Sequence, residues 1–182
     1  IKHGIKFEPL ATQIYEKRNN IIVTEFGCIP HSIVPFFGAS PDGIVSYKSK
    51  NKNYIGRMLE IKCPKSRKIT GVIPPAYYAQ IQGQLEVCDL EYCDFLECDF
   101  QIYNKEKYLT DTESKEKGVI VELYDASLSK SKYYYYEDTT ISLEKWENSI
   151  INKIYDNEDL DYVTTTYWYL KKYNVVLVER DK

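Results

Sequence analysis

Ser40-Pro41-Asp42-Gly43 and, eighteen residues beyond Asp42, Leu59-Glu60-Ile61-Lys62-Cys63-Pro64 are the stretches on which the reading of this chain turns. The first is turn chemistry, an acid flanked by proline and glycine. The second is an apolar run that carries a carboxylate and an ammonium two positions apart. In a strand, side chains at i and i+2 share a face, so Glu60 and Lys62 project together. Two acids and a cation converging on one spot suit a divalent metal ion and a water held for attack on a phosphodiester. Blander readings exist for each. Asp42 alone is a common turn acid, and Lys62 could simply pair with Glu60. Glu60 is the hardest to dismiss, because a carboxylate among Met58, Leu59 and Ile61 is costly to bury unless it is paired or bound to metal.

Working outward, residues 4–18 read as a helix. Gly4, Glu8, Ala11, Thr12 and Tyr15 fall on one face, and Asn19-Asn20 ends it. Residues 21–26 and 33–37 read as short strands, and residues 44–47 as another, followed by a polar hairpin loop over 48–53. A strand over 54–62 stops at Pro64. Pro74-Pro75 opens a helix reaching Val87, with proline tolerated in the first turn. On it Tyr77, Gln80 and Gln84 stack along one face, next to an apolar face of Ile81, Leu85 and Cys88. A neutral amide there would orient a water or the lysine without adding charge; the alternative is a helix face that is merely wet. Residues 95–103 and 119–124 read as strands around a charged connection. Residues 142–155 form an amphipathic helix with Ser142 as N-cap, and the chain closes on an apolar strand at 175–178. Lys132 and the tyrosines at 133–136 read as a half-buried strand or a subunit contact in preference to a base-stacking surface. This pattern of strands and helices defines an α/β fold, taken as a single domain over residues 1–182.

The chain has 182 residues, enough to bury a real core. Its 43% hydrophobic and 28% charged residues exclude a disordered or membrane-embedded chain, and no apolar run approaches a membrane span. Residues 1–4 do not resemble a signal peptide. Five cysteines suggest a reducing compartment, hence an intracellular, cytoplasmic protein. Cys88, Cys93 and Cys98 match no usual zinc spacing and read as small buried residues. The net charge of −3 argues against wholesale phosphate binding. The charge is uneven, however: Lys48, Lys50, Lys52 and Arg57 precede the Glu60 strand, and Lys65, Arg67 and Lys68 follow it, a strip able to hold a phosphate backbone.

Taken in order, Gly4-x-x-x-Glu8, Ser40-Pro41-Asp42-Gly43, Leu59-Glu60-Ile61-Lys62-Cys63-Pro64 and Tyr77-Tyr78-Ala79-Gln80-Ile81-Gln82 resemble the lambda-exonuclease-like, YqaJ-type viral recombinase family of the PD-(D/E)xK nuclease superfamily. The resemblance covers roughly residues 1–100 and implies a restriction-endonuclease-like core, a central mixed β-sheet flanked by helices, with residues 101–182 completing the domain. It implies that Asp42, Glu60 and the backbone carbonyl of Ile61 hold Mg²⁺, with Mn²⁺ able to substitute and two ions per site. Glu8 matches the acid that serves the second ion or its water shell. Lys62 matches the catalytic lysine, Gln80 the glutamine beside it, and Tyr77 its neighbour on the helix. Ser40, Tyr77, Gln84, Lys65 and Arg67 are the expected DNA contacts.

The implied activity is a Mg²⁺-dependent 5′-to-3′ exonuclease on linear double-stranded DNA, acting in viral recombination or repair. Expected partners are duplex ends, a single-strand annealing protein and further copies of the chain in a toroidal trimer, with no membrane. Relatives also carry an N-terminal arginine and serine for the 5′ phosphate, a role that residues 1–3 do not fill. Two other readings stay open. One is a structure-specific or restriction-like endonuclease of the same superfamily; its iron–sulfur, Cas4-type members are disfavoured because no set of four cysteines flanks the site. The other is an inactive DNA-binding subunit.

Overall fold

The helix read over residues 4–18 runs Lys2–Asn19 (α1) in the structure, a computed structural model that describes residues 2–137 and 140–182. Phe7, Leu10, Ala11, Ile14 and Tyr15 form its buried face. Lys17 and Arg18 suit the negative end of its dipole, and Asn20 ends it in the left-handed conformation, φ 56°. Pro9 lies within the helix and is exposed, so the hydrogen bond it cannot donate is lost on the wet side.

The strands that follow are shorter than their apolar runs. They are Val23–Thr24 (β1), Ile29–Pro30 (β2), Gly38–Ala39 (β3) and Gly43–Val45 (β4). β2 and β3 pair with each other. Residues 33–37, expected to be a strand, are instead the loop between them, and Ile33 and Phe36 are 82% and 94% exposed. Pro35 cannot donate to a ladder. Met58–Lys62 (β5) begins later than expected because Lys52–Tyr54 make a 3₁₀ turn and Gly56 adopts φ 77°.

Pro75–Cys88 (α2) has Pro75 in its first turn and ends at Asp89, φ 51°, whose N–H reaches the carbonyls of Leu85 and Glu86. Next come Tyr92–Tyr103 (β6), Lys105–Thr110 (α3), Lys117–Asp125 (β7), Lys130–Tyr135 (β8), Leu143–Ile151 (α4), Lys153–Asp156 (α5) and Leu160–Glu179 (β9). The charged connection after β6 therefore holds a short helix. The helix expected over 142–155 breaks at Asn152, but Ser142 caps α4 as expected, accepting from the Lys145 N–H.

The chain forms two compact units, Ile1–Asp99 with Lys172–Lys182, and Phe100–Lys171. In the first, the strands lie in the order β1-β4-β5-β6-β9 and the sheet is mixed. β5 runs antiparallel to β4 and parallel to β6, so that Glu60 faces Phe95 and Lys62 faces Glu97. This is the mixed, helix-flanked sheet that the sequence led us to expect. α2 covers one face: Ile81 and Leu85 pack with Met58, Cys93, Phe95 and Val178. α1 covers the other, where the Tyr15 hydroxyl donates to buried Asp94 at 2.5 Å and Arg57 completes that carboxylate at 3.2 and 3.3 Å. Gly43 lets β1 approach β4, since a Cβ there would lie 2.2 Å from Val23 Cγ1.

In the second unit the order is β6-β9-β7-β8. Val121, Leu123, Ile150 and Leu160 form its core beneath α4. The tyrosines of β8 are half-buried, as the sequence suggested.

Candidate active site

Glu60 lies in the middle of β5 and is 2% exposed. The two-residue period of the strand brings Lys62 to it, and α2 brings Gln80. Glu60 Oε1 accepts from Lys62 Nζ at 2.5 Å and from Gln80 Nε2 at 3.0 Å. Its other oxygen, Oε2, is buried without a partner. One turn before Gln80, the Tyr77 ring lies 4.9 Å from Lys62 Nζ. Asp42, held in the bend before β4, accepts the Ile61 N–H at 2.6 Å through Oδ2. The antiparallel β4–β5 register, Gly43 opposite Leu59, makes that reach possible. Glu8 comes from α1, and Gly4 one turn earlier leaves it room: a Cβ at position 4 would lie 3.0 Å from Glu8 Oε1.

The electrostatics follow from burial and crowding. Burial drives the Asp42 carboxyl up to about 7; the negative charges of Glu60 and Glu8 add to this, while the Ile61 N–H and Lys62 oppose it. Burial also raises Glu8, with Lys62 opposing and Glu60 reinforcing. For Lys62, burial disfavours the ammonium, but the hydrogen bond and charge of Glu60, aided by Asp42, outweigh it and its pKa is raised. With no cation beside the acids, Lys62 is therefore a firm cation and not a proton acceptor. Next to it, burial pushes the Cys63 thiol up, which makes it inert.

Asp42 and Glu60 are the two carboxylates that could be offered to a divalent cation here. Among the described residues, no three His, Cys, Asp or Glu side chains form a group able to hold a metal. Mg²⁺ needs no such group, because it keeps several waters and commonly takes one or two carboxylates from the protein. The orphaned Glu60 Oε2 and the strained charge of Asp42 are both groups that a cation would satisfy.

Two clefts open beside these acids, and Ile5 and Glu8 line both. One, of about 320 Å³, also has Pro9, Phe26, Ser40 and Asp42. The other, of about 520 Å³, has His3, Lys62, Lys65, Arg67 and Tyr77. Of the expected DNA contacts, Ser40 and Lys65 are exposed and Tyr77 and Arg67 half-exposed. Gln84 departs from expectation. It is buried, and its amide reaches the Ser40 carbonyl at 3.5 Å, bracing the Asp42 bend instead of meeting solvent.

Arg57 is likewise committed to Asp94, and neither cleft is lined by Lys48, Lys50, Lys52 or Arg57. No motif in the sequence marks His3. It lines the basic cleft with its ring 4.7 Å from Phe7 and its Nε2 buried without a partner. Its spacing of one helical turn from Phe7 was the signal available. Among the described residues the five cysteines form no disulfide, and Cys93 and Cys98 are fully buried, in keeping with a packing role.

The family model described as the YqaJ-like viral recombinase domain matches residues 1–91. A relative from Acanthamoeba polyphaga mimivirus, "Uncharacterized protein R354", is 34% identical over 220 aligned positions, covering 100% of this chain and 40% of its own length. The chain thus spans about two fifths of that relative. Among solved structures, LHK-Exo in complex with dAMP is 25% identical with a TM-score of 0.44, covering 86% of this chain and 68% of the other. The alkaline exonuclease LHK-Exo from Laribacter hongkongensis gives 24%, 0.43, 85% and 67%. Among the described residues, no helix is long and apolar enough to cross a membrane.

Proposed function

The chain belongs to the YqaJ-like viral recombinase domain family, and from that premise we propose that it is a metal-dependent deoxyribonuclease, a 5′-to-3′ exonuclease on linear double-stranded DNA ends in viral recombination. The observation that carries the proposal is the Glu60 carboxylate, buried in β5 with Lys62 and Gln80 on one oxygen and nothing on the other. A buried carboxylate left half-satisfied is costly to keep for packing alone.

In this reading Asp42, Glu60 and the Ile61 carbonyl hold Mg²⁺ or Mn²⁺, and Glu8 serves a second ion or its water. The ion, when bound, lowers the pKa of a water and offsets charge on the leaving oxygen. Gln80 fixes the rotamer of Glu60 by donating to Oε1. The Ile61 N–H fixes Asp42 in the same way. Lys62 Nζ orients the attacking water, and it can take the water's proton only once the charge of Glu60 is shared elsewhere, because Glu60 is what keeps the ammonium protonated. Lys65, in the cleft beside Lys62, meets the phosphate backbone. Further copies of the chain around the duplex and a single-strand annealing partner belong to the same proposal.

A digestion assay tests it: end-labelled linear duplex and a matched closed circle, with Mg²⁺, with EDTA, and with Glu60→Ala. Loss of the linear substrate alone, absent in EDTA and in the variant, is the expected result. Cutting of the circle would replace the exonuclease with an endonuclease. The absence of any Mg²⁺-dependent cleavage would overturn the proposal.

A further inference from the structure

Glu97 is a second fully buried carboxylate on the Lys62 side of the sheet, and the nuclease reading gives it no task. The parallel register of β5 and β6 sets it directly beside Lys62. Its Oε2 accepts a hydrogen bond from the Arg67 guanidinium, while Oε1 is buried without a partner. Arg67 belongs to the irregular segment 63–74, which is also held by the buried side chain of Ile69 and by Lys172 Nζ donating to the Ile69 carbonyl at 2.7 Å. The same guanidinium lies 5.7 Å from the centre of the Tyr77 ring, over which Lys62 Nζ also sits, at 4.9 Å. Phe95, the β6 partner of Glu60, backs that ring at 5.9 Å.

Resting on the reading of Lys62 as the catalytic lysine, we infer that Glu97 is a positioning residue for it: Glu97 fixes Arg67, Arg67 and Phe95 fix the Tyr77 ring, and the ring holds the Lys62 ammonium. Releasing Arg67 would leave Glu97 as an unpaired buried charge, so Arg67 is a strut and not a free phosphate clamp, although it sits in a basic run. An aromatic face attracts a cation within about 6 Å, and here two cations share one ring, so each limits where the ring can go. Besides the ring, Lys62 is held by the hydrogen bond and charge of Glu60 and by the charge of Asp42, all of which any cation at the acids must share. The ring is the anchor that such sharing leaves intact.

The test uses Glu97→Gln, Tyr77→Leu and their combination, with Arg67→Lys as a fourth variant that keeps a charge for Glu97 but loses the planar contact with the ring. On linear duplex, each single variant should lower kcat about tenfold with KM within about twofold, the scale expected for one lost cation–ring anchor. The double variant should fall no further than the worse single one, since both act through one clamp. In metal-free protein, acylation of Lys62 by an amine-reactive reagent, followed by peptide mass spectrometry, should speed up about threefold or more in Glu97→Gln and Arg67→Lys. Circular dichroism and melting establish that each variant is folded. A raised KM with kcat unchanged would make Arg67 a phosphate ligand and overturn the inference. Multiplicative losses, or unchanged Lys62 acylation in a folded variant, would overturn it equally. A wild-type protein that cleaves no DNA would defeat the nuclease reading instead, and the acylation rates would still judge the clamp.

Discussion

Replacing Asp42 by Asn should make the metal-free protein more stable while removing its activity. The carboxyl is lifted from the ordinary 3.8 to about 7, chiefly by burial and then by the charges of Glu60 and Glu8. That displacement corresponds to about 4 kcal/mol of cost for the ionised form in the folded state. Asp42 is only half-buried, and solvent screens part of its repulsion, so a measured gain of about 1–3 kcal/mol is the realistic expectation. Asparagine keeps an oxygen to accept the Ile61 N–H, so the bend itself should survive.

The sign with pH follows from linkage. The folded carboxyl holds its proton more tightly than the unfolded one, so wild-type stability contributed by this group is present below about pH 4 and is lost as pH rises towards about 7. The assay is urea unfolding followed by tryptophan fluorescence, in EDTA, at about pH 8 and about pH 3.5, on either side of that window. Asp42→Asn should exceed wild type at the higher pH and match it at the lower. Saturating Mg²⁺ should then reverse the order, since wild type gains roughly 2.7 kcal/mol at a hundredfold excess over Kd and the variant gains less. An Asp42→Asn protein no more stable than wild type at about pH 8 refutes the reasoning, as does a gain that is the same at both pH values.

Three further outcomes are expected. Lys62→Ala should abolish turnover while Mg²⁺ binding, read by titration calorimetry, persists; preserved turnover would remove Lys62 from the chemistry. Gly4→Ala should raise the melting temperature slightly, since alanine is worth up to about 1 kcal/mol over glycine in a helix. It should nevertheless lower activity several-fold, because the new Cβ meets Glu8 Oε1 at 3.0 Å and displaces the acid. Tyr15→Phe should cost about 1–3 kcal/mol in urea unfolding, because buried Asp94 loses its 2.5 Å partner while Arg57 remains.

Much of the site was legible because its parts are local. Asp42 sits in a Pro-Gly turn, and Glu60 and Lys62 obey the strand period; Tyr77 and Gln80 lie one turn apart on a helix opened by Pro75. α1, α2, β6 and β7 were readable from periodicity and punctuation for the same reason. The failures are where burial decides and periodicity does not. Residues 33–37 have the composition of a strand, yet they loop between β2 and β3 with Ile33 and Phe36 in solvent. Gln84 occupies the same stripe as Gln80, but the Asp42 bend folds over it, and Gln80 stays exposed. Arg67 and Glu97 are thirty residues apart, and only the parallel register of β5 and β6 brings them together.

That division has a physical cause that bears on function. A core built for stability would not place Glu60 and Glu97 at 2% and 0% exposure with one oxygen each unsatisfied, nor press Glu8 and Asp42 towards Glu60. Local sequence rules describe the elements well because those elements are consistent with the fold. The rules falter where the chain keeps charges that the fold alone does not want. Removing Asp42's charge relieves the fold, whereas removing the charge of Glu97 loosens Arg67, so the half-buried acid and the fully buried one should respond in opposite directions to the same Asp/Glu-to-amide change. The first carries an unmet charge and the second an answered one, and that contrast separates a group held for a ligand from a group held for its neighbour.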